Sequence, residues 1–326
     1  VIEYRTFRNS DPPGLVRVWS QSFTGRGTAP LRGTTLIEYC AFAKPYFDPK
    51  GLVVATEDGD LVGFAHAGFG PNAEGTGLDH STGVLCALGV LPGHRGSGVG
   101  SELLRRAEDY LRARGASTLL AGPMSPRNPF TFALYGGGDS PGFLDSDAAA
   151  GPFLQRHGYR LRDTILVLQR PLAEALTVAD YRFVLHRQQY EIHARPLPAS
   201  SWWRECVLGP VEAVEYRLVE RGGGPVSRAV LWEMETFRRQ QDEHAVGVLA
   251  LEVEPARRRG GLGKFLSAQI LRHLQDQYFN VVEMQVAQTN VAALELARVL
   301  GFRQVDAGRC YEKGPAGPPS AAPAGG

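Results

Sequence analysis

Two short runs rich in glycine and arginine hold the residues of this chain best suited to chemistry. The first reads Val90-Leu91-Pro92-Gly93-His94-Arg95-Gly96-Ser97-Gly98-Val99-Gly100, and the second Val253-Glu254-Pro255-Ala256-Arg257-Arg258-Arg259-Gly260-Gly261-Leu262-Gly263. One constant offset separates Val90 from Val253, Pro92 from Pro255, Arg95 from Arg258, Gly98 from Gly261 and Gly100 from Gly263. A pattern V-x-P-x-x-R-x-x-G-x-G held in register throughout marks a duplication rather than chance. Glycine lets the backbone turn at positive φ and approach a ligand with no Cβ in the way. Successive N–H groups then face a concavity, and the first turn of a following helix adds unpaired donors and its positive dipole end. Arg95 or Arg258 adds a fixed charge. Each run is a candidate cradle for a diphosphate or a similar anion.

The flanking segments can position such a cradle. Apolar residues run from Val84 to Val90 and from Val246 to Val253, as buried strands do. After the first run, Leu103, Leu104, Ala107, Tyr110 and Leu111 form one helical stripe. Leu266, Ile270, Leu271, Leu274 and Tyr278 do so after the second. A dinucleotide fingerprint needs a third glycine three residues after Gly100, where Leu103 stands. A Walker loop needs G-x-x-x-x-G-K-S/T, which neither run supplies.

Strand, V-x-P, R-x-x-G-x-G and helix in this order resemble the GNAT family of acyl-CoA-dependent N-acyltransferases, and the resemblance covers nearly the whole chain as two tandem units. It implies an α/β fold: two tandem domains, each a mostly antiparallel, twisted mixed sheet with a splayed central strand pair and flanking helices. It implies acetyl-CoA as cofactor, its pyrophosphate gripped by Arg95, Gly96, Ser97, Gly98, Val99 and Gly100 in one unit. Arg258, Arg259, Gly260, Gly261, Leu262, Gly263 and Lys264 would grip it in the other. The strand backbone at Leu88 and Val90, and at Leu251 and Val253, would pair with the pantetheine arm. The family's asparagine after the fifth strand, followed by a helix ending in Gly-Phe or Gly-Tyr, is matched by Asn128 with Gly158-Tyr159 and by Asn290 with Gly301-Phe302. The implied reaction moves an acetyl group to the primary amine of a small molecule by direct attack in a ternary complex. A protein or peptide amine, or coenzyme A binding without turnover, are the alternatives.

The family's catalytic groups do not carry over. Where a tyrosine stands four residues before the terminal glycine, this chain has Leu154 and Ala297. Where a glutamate stands four or six residues before the valine of V-x-P, it has Cys86 and Val84, then Leu249 and Gly247. General acid and base are therefore unassigned. Glu233, Glu235 and Glu252 lie near the second cleft and read first as solvated strand charges. Cys86 reads as a small core hydrophobe, and Trp202-Trp203 as core rather than an acceptor pocket.

Composition bounds the rest. At 326 residues the chain suits two domains, expected at 1–171 and 172–313, each with its own core and each ending in its own strand, Thr164 to Gln169 and Cys310 to Glu312. Residues 172–189 are open between helix and linker. A tail of Gly, Pro, Ala and Ser, 314–326, is expected to be disordered. A net charge of +1 gives no bulk attraction to nucleic acid or anionic membrane. The absence of a long apolar run or a signal pattern, with four scattered cysteines, predicts a cytoplasmic protein. The eight histidines do not cluster at metal-ligand spacing, so no metal is expected. The interval from Gly100 to Gly158 is longer than its counterpart from Gly263 to Gly301. The excess falls within Gly122 to Gly151, a Pro- and Gly-rich loop that could be a substrate lid, a plug or filler.

Overall fold

The computed structural model describes residues 1–198, 200–209, 211–238 and 243–314. In its first half, β1 (Ile2–Thr6), α1 (Pro12–Ser22) and α2 (Thr35–Ile37) lead into β2 (Leu52–Glu57), β3 (Asp60–Pro71) and β4 (Leu78–Val90). Then come α3 (Val99–Ala113), β5 (Thr118–Ala121), β6 (Phe143–Leu144), α4 (Ala150–Arg156) and β7 (Arg160–Pro171). The second half holds α5 (Arg182–Gln189), β8 (Tyr190–Pro196), α6 (Trp202–Leu208), β9 (Ala213–Glu220), β10 (Pro225–Glu233) and β11 (Ala245–Val253). It ends with α7 (Leu262–Asp276), β12 (Val281–Ala287), α8 (Val291–Val299) and β13 (Arg303–Lys313). Local chemistry accounts for the joins. Pro12 and Pro13 open α1, where missing N–H groups cost nothing. Asp58 and Gly59 both adopt positive φ, as the two-residue hairpin between β2 and β3 requires. The open segment 172–189 resolves into α5, and the tail beyond Gly314 lies outside the described residues.

The strands form one sheet in the order β1-β2-β3-β4-β5-β13-β7-β12-β11-β10-β9-β8, with β6 alongside β13. Both expected terminal strands form, as β7 and β13, but each joins the sheet of the other copy. β13 pairs with β5, Tyr311 opposite Ala121, while β7 pairs with β12, Leu168 opposite Met284. Each terminal strand thus completes the sheet of the other copy and covers an edge that would otherwise present unpaired backbone. The second unit keeps a core of its own, with Phe183, Leu218, Leu266 and Val282, but the other main cluster is shared. The larger apolar cluster joins Val54, Leu85 and Leu103 with Trp203, Trp232, Met234 and Tyr311 of the second half.

The duplication holds at the level of register. Parallel pairing of β4 with β5 stops at Leu85 opposite Ala121, and that of β11 with β12 stops at Val248 opposite Met284. The second pair follows the first at the same offset as the two glycine runs. One residue further on, Cys86 in β4 and Leu249 in β11 are skipped by the register of the antiparallel neighbour, a β-bulge in each copy. Beyond the bulge each strand pair splays into a V.

Candidate functional site

At the mouth of each V lies a backbone cup. In the first, Gly96 and Gly98 adopt positive φ and Gly98 caps α3; in the second, Arg259 and Gly261 do so and Gly261 caps α7. The amides of residues 96–101 and of residues 259–264 donate to no protein acceptor among the described residues. Six convergent, unpartnered donors at a helix start are what an anion nest requires. The arginine of the motif braces this geometry: Arg95 Nε donates to Val90 O at 3.1 Å, and Arg258 Nε to Val253 O at 3.2 Å.

The cups differ in charge. Around the second stand Arg258, Arg259 and Lys264, joined by Arg182 from α5; a Cβ on Gly261 would sit 3.1 Å from Arg182 Cζ. Arg182 also donates to the carbonyl of Arg259 at 3.3 Å, and His186 Nε2 lies 3.1 Å from the carbonyl of Gly260. Asp180 is the nearby counter-charge, and hydrogen bonds from Arg182 and Lys264 hold its carboxyl well below the usual range. In the first cup Gly96 and Ser101 stand where the second has Arg259 and Lys264, and Glu102 stands in place of Phe265. A Cβ on Gly98 would meet nothing within 4 Å.

The V behind the first cup is closed. From Cys86 to Val90, every residue of β4 except Leu88 is buried. The loop after α1 is drawn in beside the insertion, with Ala29 donating to Leu134 O and Gly136 to Gly27 O. Phe130 of the insertion stacks on His66 at 4.0 Å between ring centres. What remains among Trp19, Phe64, His66, Ala87, Phe130 and Leu134 is a cavity of about 20 Å³, too small for an acceptor. Burial pushes the His66 imidazole down to about 3, and its Nε2 has no hydrogen-bond partner. The unfolded chain therefore binds a proton near pH 6.5 that the folded chain does not accept until about pH 3. Stability from this residue is complete above the unfolded value and is lost at about 1.4 kcal/mol per pH unit as pH falls toward 3. Urea unfolding between pH 6 and pH 4 should approach this slope, and His66→Leu should flatten it. An equal slope in both proteins would refute the assignment.

The V behind the second cup is open. No residue from Leu249 to Val253 is buried. The reason lies in α6, which docks on the first unit instead of covering its own sheet: Trp203 stacks on Tyr46 at 5.0 Å and its Nε1 donates to Pro126 O at 2.9 Å, while Lys44 donates to the carbonyl of Cys206. The sheet face opposite α7 is thereby left charged. Glu215, 1% exposed, meets Arg195, Arg217 and Arg228, and Arg228 also holds Glu252. Burial alone would raise the Glu215 carboxyl, but hydrogen bonds from Arg195 and Arg217 bring it below the ordinary value. At the apex of this V the first unit's insertion is clamped down. Trp232 Nε1 donates to Gly138 O at 2.8 Å, Gly138 N to Glu283 Oε1 at 2.8 Å, and Gln285 Nε2 to Gly136 O at 2.7 Å.

A model of the Acetyltransferase (GNAT) family matches residues 18–136 and again residues 180–302, together well over half of the chain. The chain belongs to the Acetyltransferase (GNAT) family. On that ground it is an N-acetyltransferase, in a family whose acetyltransferases use acetyl-CoA. It is 26% identical over 330 residues to a mycothiol acetyltransferase of Salinispora arenicola, covering 93% of this chain and 94% of that protein. It is 36% identical over 72 residues to a streptothricin acetyltransferase of Streptomyces lavendulae, covering 22% of this chain and 34% of the other. Its fold is similar to that of a tandem GNAT protein from the clavulanic acid biosynthesis pathway. There the TM-score is 0.66 and identity 17%, with 98% of this chain and 99% of that chain covered.

Within this GNAT architecture the remaining sequence candidates separate. Asn290 caps α8, its side chain accepting from Ala293 N at 3.2 Å. Gly301 follows that helix at φ 83°. Asn128 does not take the matching place: it is 3% exposed inside the insertion, with Nδ2 bonded to Ser140 Oγ, and α4 is capped by Ala149 instead. The extra residues of the first unit shift the spacing, so that sequence order no longer reports position. Leu88 and Val90 line the closed V, Leu251 and Val253 the open one. Leu154 and Ala297 are buried core residues. Burial pushes the Cys86 thiol far up, which removes it as a nucleophile. Glu252 is engaged by Arg228, whereas Glu233 and Glu235 are exposed and Glu233 shares the α7 face with Leu231. Trp202 and Trp203 pack on the first unit and do not line the second cleft. Among the described residues no helix is long and apolar enough to cross a membrane.

Proposed function

We propose that the second unit carries catalysis and that its cup seats the diphosphate of coenzyme A, with a small, polar primary amine as acceptor. The observation that carries this reading is the contrast between the two splayed strands, accessible from Leu249 to Val253 and buried from Cys86 to Val90 save for Leu88. The six free amides of residues 259–264, with Arg258, Arg259, Lys264 and Arg182, suit the several negative charges of coenzyme A. The backbone at Leu251 and Val253 faces the pantetheine path, and Asn290 stands at the start of α8 beside it. The first cup, with Arg95, Gly96, Ser97, Gly98, Val99 and Gly100, is a weaker anion site behind a closed V.

Bound acetyl-CoA supplies a thioester, whose acetyl carbon accepts an amine. The chain has to polarise that carbonyl, hold the amine beside it and take a proton from an ammonium whose ordinary value is about 10.4. The bulge leaves Leu249 without a register partner on either neighbouring strand, and a backbone N–H at this point is the donor we assign to the carbonyl oxygen. The charged sheet face of Arg195, Arg217, Arg228 and Glu252 favours a polar acceptor over an apolar one. A reducing, cytoplasmic compartment belongs to the same reading, and the unpaired Cys40, Cys86, Cys206 and Cys310 accord with it.

Thiol release from acetyl-CoA should appear with small polar amines such as amino sugars, amino acids and their conjugates. Turnover confined to peptide amines would replace the acceptor assignment. Coenzyme A binding with no turnover across both panels would replace the catalytic one.

A further inference from the structure

Resting on the reading that the second unit is catalytic, we propose that Asp139, carried by the first unit's insertion, is the general base of the second unit's cleft. The strand positions from which a GNAT glutamate would reach the amine are Leu249 and Gly247, neither of which can accept a proton. The chain must supply a carboxylate from elsewhere, and the insertion brings one to the same place. Its clamp holds residues 136–139 against three strands at the point where the V begins. A Cβ on Gly138 would lie 3.1 Å from Gly247 Cα, one residue before the last parallel pair, Val248 opposite Met284. Gln285, one residue beyond that pair, donates to the carbonyl of Asp139 itself at 3.2 Å.

The sequence of the clamp suits this approach. Gly136 and Gly137 adopt positive φ, and a Cβ on Gly137 would overlap the Glu283 carboxylate. The three consecutive glycines therefore let the loop lie flat on β11 and β12, and Asp139 is the first side chain after them. Asp139 Oδ1 accepts from Ser140 N at 2.7 Å, while Oδ2 accepts no hydrogen bond from the protein among the described residues. Asp139 as a residue keeps a small part of its surface exposed.

The groups around it set its strength. Arg204 of α6 faces it and also interacts with Glu252 of β11; Glu283 of β12 is already engaged by Arg26, Gln169 and Gly138 N; Trp232 of β10 and Gln285 are neutral. Burial pushes the Asp139 carboxyl up to about 6, partly offset by the Ser140 amide and by Arg204. It is ionised at neutral pH yet more basic than a surface carboxylate, as a base must be. In the step, an ammonium acceptor gives one proton to Asp139, the freed nitrogen pair forms the C–N bond, and the C–S bond breaks. The nitrogen's second proton passes to the sulfur by way of water. Asp139 returns its proton to solvent, and the balance is one amide, one thiol and one proton released.

The test is Asp139→Asn, read three ways. We expect kcat to fall by about 100-fold or more, the calorimetric affinity for coenzyme A to stay as in the wild type, and the rise of kcat through pH 6 to vanish. Retention of kcat within about 3-fold, or of that rise, would overturn the assignment. Asp139→Glu should keep the rise with reduced kcat. If Asp139→Asn does not fold, a wild-type profile flat between pH 5 and pH 7 overturns the assignment equally. Gly261→Asp separates the two levels: turnover surviving it would remove the second unit as catalyst. Turnover lost there, with Asp139→Asn unaffected, would remove Asp139 alone.

Discussion

Gly261→Asp should lower coenzyme A affinity by roughly 100-fold or more and abolish turnover, because three effects fall on one atom position. The residue stands at φ 84°, where an L side chain is strained. Its new Cβ would lie 3.1 Å from Arg182 Cζ, so the guanidinium must move from the cup. The added carboxylate would then compete with the ligand for the same six amides and for Arg182 and Lys264. Of these, the charge dominates: strain at a left-handed position costs an aspartate little, whereas a fixed anion inside an anion nest opposes every phosphate oxygen. Isothermal titration with coenzyme A should show loss of the tighter of two binding events in Gly261→Asp and loss of the weaker in Gly98→Asp. Equal affinities for the two cups would contradict the charge difference between them.

Arg26→Ala should cost about 3 kcal/mol of stability, an effect seldom seen for a side chain that is 30% exposed. Its partner, Glu283, is 1% exposed and would be left charged in the interior. Gln169 Nε2 at 2.8 Å and Gly138 N at 2.8 Å would remain as donors, but neither carries charge. The same carboxylate ties together the loop after α1, the insertion, β7 and β12. The variant should therefore unfold at lower urea and lose activity through the loosened 136–139 loop. A stability change below about 1 kcal/mol would show that Arg26 is an ordinary surface ion pair.

Much of this was legible before any coordinates. The glycine loops, the following helices and the strand spans follow from residue types and the constant offset, because backbone conformation at glycine and apolar periodicity are local properties; the splayed pairs came only from the family resemblance. The strand exchange was not legible: Thr164 to Gln169 reads as a strand whichever neighbour it joins, and nothing in an alternating apolar run names its partner. Asn128 satisfies the spacing rule yet sits inside the insertion and not at the start of α4, because the extra residues shift the count. Arg182 lay in a segment with mixed helix and linker character, so its place over Gly261 had no sequence signature. Asp139 did leave one, a charged residue directly after Gly136-Gly137-Gly138, but its meaning depends on a contact with Gly247, far along the chain in the other unit.

The interlaced order β5-β13-β7-β12 carries an evolutionary corollary. Lys313 finds its partner at Leu119, and Pro171 at Val281, so either half separated near Pro171 would lack a strand that only its sibling encodes. Gene fission would have to re-pair both terminal strands at once. The two units are thereby held together by backbone pairing as well as by the chain that joins them.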